Sequence, residues 1–245
     1  MLLLDVGNSR IKWALAGSGA WTRQGVVNLA EGAALRQAFA NLPQPHKILA
    51  SNVAGYEAAQ QVRAACAAWP GPVEFITAQA QQCGVRNAYE QPAKLGSDRW
   101  AALIAAWHQT HAACLVVNCG TATTVDALSG AGEFIGGLIL PGIDMMLRSL
   151  AAGTAQLEVA QGKWREFPRN TADAMVSGAI QATVGAIRQQ FELLGAPGAR
   201  CLLGGGAADR VQLCLGLPVE RADNLVLQGL QIIGQGNFPE QQGVR

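Results

Sequence analysis

The chain has 245 residues, half of them hydrophobic, with 29 glycines and a formal net charge of +1 from 18 basic and 17 acidic residues. At roughly 100–200 residues per domain, that is one large domain or two small ones with ample material for a core. Balanced charge without any Lys/Arg run argues against a nucleic-acid partner, and no stretch of about 18 apolar residues exists to span a membrane.

In chain order, Leu2-Leu3-Leu4 reads as a buried strand, and a turn follows at Gly7-Asn8-Ser9. Ile11, Trp13 and Leu15 then alternate with Lys12 and Ala14, the period-two pattern of a second strand. The pattern predicts a helix over residues 30–40, a strand over 46–53, a helix over 55–68 and a short strand over 72–77. From Asp98, the residues Trp100, Leu103, Ile104 and Trp107 recur at three- and four-residue steps, as on one face of an amphipathic helix. The pattern then restarts. Leu115-Val116-Val117 is a strand, Gly120-Thr121 a turn, Ala122–Leu128 a second strand and residues 134–140 a third, ended by Pro141-Gly142. A long helix is expected over Thr171–Leu194, with Asn170 or Thr171 as its cap and Gly195 closing it. Cys201-Leu202-Leu203 is a strand entering Gly204-Gly205-Gly206, residues 224–233 form a closing helix, and the polar tail from Gly234 reads as frayed.

The six cysteines, at 66, 83, 114, 119, 201 and 214, form no Cys-x-x-Cys pair and have no His at metal-ligand spacing. Scattered, apolar-flanked thiols of this kind point to a reducing compartment. Residues 1–6 run straight into a turn and are too short and too uncharged for a signal peptide, so the expectation is a cytoplasmic protein. The histidines His46, His108 and His111 form no constellation, and Trp13, Trp100 and Trp107 read as core.

An internal repeat organises the chain. Residues 2–15 laid over 115–128, an offset of 113, match Leu2 with Leu115, Gly7 with Gly120, Ala14 with Ala127 and Leu15 with Leu128, and set Asp5 against Asn118. The shared shape is apolar strand, acid or amide, glycine turn, strand. It predicts two similar α/β halves, 1–113 and 114–245, with no proline-rich linker at the join.

A glycine in a tight turn leaves backbone N–H groups pointing outward, which suits phosphate oxygens. A carboxylate just before the glycine would repel phosphate alone, but fits if magnesium stands between them. Asp5 therefore suits a magnesium–phosphate role, with Asn8, Ser9 and Thr121 as hydrogen-bond donors and Lys12 as a nearby cation. Ordinary hairpin turns would use the same Asn and Gly residues; two such turns opening two matched halves favour a nucleotide site. Asp98, in Gly96-Ser97-Asp98-Arg99 before an apolar helix, reads equally as an N-cap and as a general base. A kinase acting on an alcohol needs such a carboxylate to accept the hydroxyl proton, and Arg99 beside it suits bidentate clamping of an acidic substrate.

Taken together, Asp5-Val6-Gly7-Asn8-Ser9, Gly96-Ser97-Asp98-Arg99, Gly120-Thr121-Ala122-Thr123, the segment from Gly136 to Gly142, and Asn170-Thr171 with Met175 and Ser177-Gly178 resemble the type III pantothenate kinases. These belong to the superfamily of acetate and sugar kinases, heat-shock chaperones and actin. The resemblance spans nearly the whole chain. It implies an α/β fold of two ribonuclease-H-like halves, mixed sheets flanked by helices, with a nucleotide cleft between them. It implies ATP- and Mg2+-dependent phosphorylation of pantothenate at its primary hydroxyl, the first step towards coenzyme A, by a homodimer. Carried over by position, Asp5, Gly7, Asn8, Ser9, Arg10 and Lys12 look like the first phosphate motif, and Gly120 and Thr121 like the second. Gly96, Ser97, Asp98 and Arg99 resemble the pantothenate-binding motif with Asp98 as base, while Tyr89 and Thr171 match further substrate positions, Thr171 from the partner subunit's region.

Two residues depart from the family pattern. Ser97 stands where a residue such as Ala is usual, a harmless change. Asn118 replaces an Asp that looks like a ligand for an activating monovalent cation, K+ or NH4+. An amide coordinates through its oxygen but brings no charge, so weakened or rearranged cation binding is expected; no other metal ligand is assigned. The competing expectations are a non-catalytic nucleotide-binding regulator of the same fold, disfavoured by the intact Asp5 and Asp98, and a kinase for a sugar or acetate, disfavoured by the short chain and the Gly-Ser-Asp-Arg segment.

Overall fold

The structure, a computed structural model, describes residues 1–17, 20–153 and 162–236. It divides into two units, Met1–Gln109 with Asn224–Arg245, and Thr110–Asp223.

The first unit is built on β1 (Leu2–Val6), whose Leu2, Leu3, Leu4 and Val6 are fully buried. A strand with neighbours on both edges and cover on both faces must be apolar along its length, and Asp5 is its one polar residue. β2 (Arg10–Ala16) pairs antiparallel with β1, and β3 (Trp21–Asn28) antiparallel with β2. After α1 (Gly32–Phe39), β4 (Ile48–Asn52) joins β1 in parallel; after α2 (Tyr56–Cys66), β5 (Val73–Phe75) joins β4 in parallel. The order is β3-β2-β1-β4-β5. A small antiparallel hairpin, β6 (Gln81–Gln82) and β7 (Val85–Asn87), turns on Cys83 and Gly84, both at positive φ, as a two-residue primed turn requires. α3 (Ser97–Thr110) follows.

The second unit repeats the scheme. β8 (Cys114–Cys119), β9 (Ala122–Leu128) and β10 (Glu133–Pro141) form the antiparallel run. α4 (Ile143–Gly153) and α5 (Thr171–Leu194) intervene before β11 (Arg200–Gly204), which is parallel to β8. α6 (Ala208–Leu215) leads to β12 (Val219–Arg221), parallel to β11. Within the second sheet, which has seven strands, the run β10-β9-β8-β11-β12 repeats the order of the first. The fold is therefore the expected pair of similar mixed α/β halves. α5 has the caps its sequence announced: Asn170 Oδ1 accepts from Asp173 N at 2.9 Å, and Gly195 closes the helix at φ +55°.

Two expectations are corrected. The 113-residue offset holds through β1 and β8 but slips by one afterwards. Leu2 faces Leu15 in the first hairpin, whereas Leu115 faces Ala127 in the second. The cause is the turn: Gly7 N donates to Arg10 O, but Gly120 N donates to Ala122 O, one residue sooner. Leu15 is thus the counterpart of Ala127, not of Leu128. The second correction concerns the closing helix, α7 (Leu225–Gln235), which belongs with the first unit rather than with 114–223. Its Leu227 and Leu230 bury against Met1, Leu3, Ala14, Ala16, Leu49 and Ala101. The tail beyond Gly236 lies outside the described residues.

Gly229 permits that packing, because a Cβ there would land on the backbone carbonyl of Ala101. Gly229→Ala is expected to destabilise the protein by about 2–3 kcal/mol, since backbone on backbone cannot yield. Urea titration measures this. All six cysteines are free thiols, four of them buried. No helix among the described residues is long and apolar enough to cross a membrane.

Candidate active site

Asp5 sits near the end of β1, between Lys12 on β2 and Ser51 on β4 in the sheet register. Just beyond it, Gly7 N donates to Arg10 O at 3.1 Å and closes a turn whose Asn8, Ser9 and Arg10 are exposed. The turn is tight at its glycine: a Cβ on Gly7 would lie 3.3 Å from the Arg10 carbonyl. The hairpin thus presents backbone and short polar side chains to solvent with a carboxylate beneath.

Asp98 is the second residue of α3. Its Oδ1 accepts from Arg99 N at 2.8 Å, so the carboxylate folds back on the helix start. Gly96 makes room for it, since a Cβ there would lie 2.6 Å from that same oxygen. Asp98 thus lies one residue inside the helix and is not its N-cap; the bond orients the carboxylate at the head of α3. Ser97, at the head of α3, shares a 2.8 Å hydrogen bond with Ser51 Oγ, both side chains being buried.

The electrostatics follow from this burial. Desolvation pushes the Asp5 carboxyl up to about 7, the negative charge of Asp98 adds to the rise, and Lys12 opposes it. Burial also raises Asp98, against the Arg99 N–H bond and the Arg99 charge. Two half-buried carboxylates with raised proton affinity suit a place where a cation and a proton acceptor are both required.

Arg99 is almost fully buried, at 6% exposure, with the Tyr89 ring centroid 6.0 Å from its guanidinium carbon. Tyr89 is held by Asn87, whose Oδ1 accepts from Tyr89 N at 3.1 Å while its Nδ2 donates to Gln79 O and Pro92 O. Trp100 Nε1 donates to Gln82 Oε1 at 2.8 Å, and His108 Nε2 lies 3.1 Å from Cys83 O, so the β6–β7 hairpin is pinned to α3 at two points. The first unit thereby gathers Asp5, Lys12, Tyr89 and the Gly96-Ser97-Asp98-Arg99 segment on one framework.

The remaining predicted residues lie in the second unit. Gly120 and Thr121 form the short turn between β8 and β9, with Asn118 exposed at its base. Two glycines buttress it. Gly142 N donates to Thr121 O at 3.0 Å, and a Cβ on Gly142 would strike the Gly120 carbonyl. Gly205, at φ +96°, would place a Cβ 2.5 Å from Cys119 O. A turn cradled by backbone alone is what phosphate or sugar oxygens need for close approach. Thr171 stands exposed at the first position of α5. Sequence reasoning passed over Ser51, Asn87 and Gly205. A serine inside the apolar strand Ile48–Asn52 and the middle glycine of a triplet were the available signals for the first and last.

The family model for type III pantothenate kinase matches residues 1–193. The chain is 50% identical over 236 residues to a type III pantothenate kinase of Aromatoleum aromaticum, covering 96% of this chain and 98% of that one. It is 45% identical over 231 residues to a type III pantothenate kinase of Dechloromonas aromatica, covering 94% and 97%. Among solved structures, a Campylobacter jejuni protein described as a putative Baf family transcriptional activator superposes with a TM-score of 0.62 at 22% identity, over 96% of this chain and 98% of that one. That likeness is one of fold.

Proposed function

The chain belongs to the type III pantothenate kinases, and from that premise we propose that it transfers the γ-phosphoryl group of ATP to the primary hydroxyl of pantothenate, with Asp98 as the base. The observation that carries the assignment is the carboxylate of Asp98, half-buried and oriented at the head of α3 within electrostatic reach of Asp5 beneath an exposed glycine turn. The non-catalytic alternative is not favoured, because a nucleotide binder has no use for that second carboxylate.

Each residue has a task in this scheme. The turn of Gly7, Asn8, Ser9 and Arg10 offers donors to phosphate oxygens, as do Gly120 and Thr121. Lys12 adds positive charge beside Asp5. Magnesium fits at Asp5, where a divalent cation would offset the like-charge penalty set up by Asp98; such ions are ordinarily held by one or two carboxylates with phosphate and water. Held by Asp5, magnesium would supply positive charge against the charge that develops on the transferred phosphoryl group. Asp98 accepts the proton of the attacking hydroxyl, and its raised proton affinity makes it a better acceptor near neutral pH. Arg99 and Tyr89 border the same segment, where a guanidinium fork suits the carboxylate of pantothenate.

The proposal extends to a homodimer, in which the exposed Thr171 of one protomer would complete its partner's site. It extends also to the cytoplasm, where six free thiols would persist. For the monovalent cation, Asn118 brings an oxygen without a charge. Potassium activation is therefore expected to be shallow, and Asn118→Asp to steepen it, in a titration of rate against KCl. Steep, tight activation of the unaltered protein would overturn this. The function itself is tested by ADP release from purified protein with ATP, magnesium and pantothenate; turnover on another alcohol but not on pantothenate would redirect the assignment within the superfamily.

A further inference from the structure

We propose that the Ser51–Ser97 hydroxyl pair is a positioning device for phosphoryl transfer, fixing the base-bearing end of α3 against the strand that pairs with Asp5. The idea rests on Asp98 being the base. Ser51 is wholly buried and Ser97 is 8% exposed. Buried hydroxyls are costly unless bonded, and these satisfy each other at 2.8 Å across 46 residues of sequence.

The ends of that bond are well chosen. Ser51 on β4 is the register partner of Asp5 on β1. Ser97 is the first residue of α3, one before Asp98 and two before Arg99. One hydrogen bond therefore links the rung beside the phosphate-end carboxylate to the turn that holds the base and the guanidinium. Alanine, the residue usual at position 97 in the family, would nearly fill the same space, so the pair is a feature of this chain, and the bond to Ser51 revises the expectation that Ser97 is a neutral replacement.

In-line transfer requires reacting atoms about 3–3.5 Å apart and aligned, and small displacements of the base are expensive. A slack α3 head would misplace Asp98 while leaving intact the turn donors that bind ATP. The signature is a fall in kcat with little change in KM.

The test uses Ser51→Ala, Ser97→Ala and the double variant of the full chain, with steady-state kinetics in ATP and pantothenate. Each single change is expected to lower kcat about tenfold with both KM values within about twofold. The double variant should be no worse than either single, because all three break the same bond. Ser97→Thr, which keeps Oγ, should recover most of the rate. Single variants with unaltered kcat, or a double variant whose loss is the product of the two singles, would overturn the positioning role. An unaltered protein that turns over no pantothenate sinks the functional assignment and this role together, whereas an active protein with unaffected variants sinks this role alone.

Discussion

Replacing Asp98 by Asn is expected to lower kcat for pantothenate by about 10²–10⁴-fold while the protein stays folded and still binds ATP. The amide has nearly the carboxylate's shape and retains an oxygen for the Arg99 N–H bond, so the head of α3 keeps its geometry. It loses the ability to take a proton. The loss must therefore fall on the chemical step, and KM should move little. Isothermal titration with ATP and magnesium, beside the rate assay, separates this from a binding defect. An Asp98→Asn protein that kept more than a tenth of the rate would remove Asp98 from the proton-acceptor role. The same substitution has a second effect at a distance: removing the Asp98 charge lowers the proton affinity of Asp5, because that charge is one cause of its rise.

Asp5→Asn carries the second large expectation, and its two halves have opposite signs. Turnover should fall by about 10²–10³-fold, because the site loses the ligand proposed for magnesium and with it stabilisation of the transferred group. The ligand-free protein, in contrast, should become more stable. Folding raises the Asp5 carboxyl from 3.8 to about 7, so the folded state favours the protonated form. Stability is then lost as pH rises from about 4 towards about 7, and the loss is complete above that. The Asn variant has no proton to lose there. Its advantage should be absent near pH 4, grow through the interval and level off above pH 7 at about 2–4 kcal/mol, the upper figure being the full shift converted at 1.36 kcal/mol per unit. Thermal melts at a series of pH values measure it. Magnesium and ATP should reverse the order by stabilising only the protein that retains Asp5. A melting difference independent of pH would mean that Asp5 is ionised without cost, and the electrostatic account of the site would fail.

Much of this was legible in the residues because it is local. Period-two alternation marked β2, three- and four-residue spacing marked α3, and Asn170 with Gly195 bracketed α5. The two glycine turns were visible because each glycine follows an apolar run at once and has small polar residues behind it, which ends a strand at a definite place. What escaped was what depends on partners distant in sequence. β3 shows no clean alternation: three of its eight residues are partly buried and the rest exposed, and Gly25 interrupts it, giving way to the Trp13 ring that packs over it. α6 is short and has no side-chain cap. The two- and three-residue strands β6 and β7 are mostly polar, and the bonds from Trp100 and His108 that tie them to α3 cannot be read from sequence. Ser51 reads as one serine in an apolar strand until α3 brings Ser97 to it. The one-residue slip between the hairpins was hidden because Ala127-Leu128 happens to imitate Ala14-Leu15 in the wrong frame.

The placement of α7 bears on how the chain is made. A ribosome delivers the polypeptide in order, and domains generally close as they emerge. Thr110–Asp223 is continuous and has its whole core in hand once Asp223 is out. The segment carrying Asp5 and Asp98 has no such independence, since Met1, Leu3, Leu49 and Ala101 wait uncovered for Leu227 and Leu230. The half synthesised first is therefore the half completed last, and a nascent chain interrupted before Leu225 holds a finished second unit and a first unit with an open apolar face. The apolar face beneath Asp5 and Asp98 is thus closed only by a helix encoded near the end of the chain.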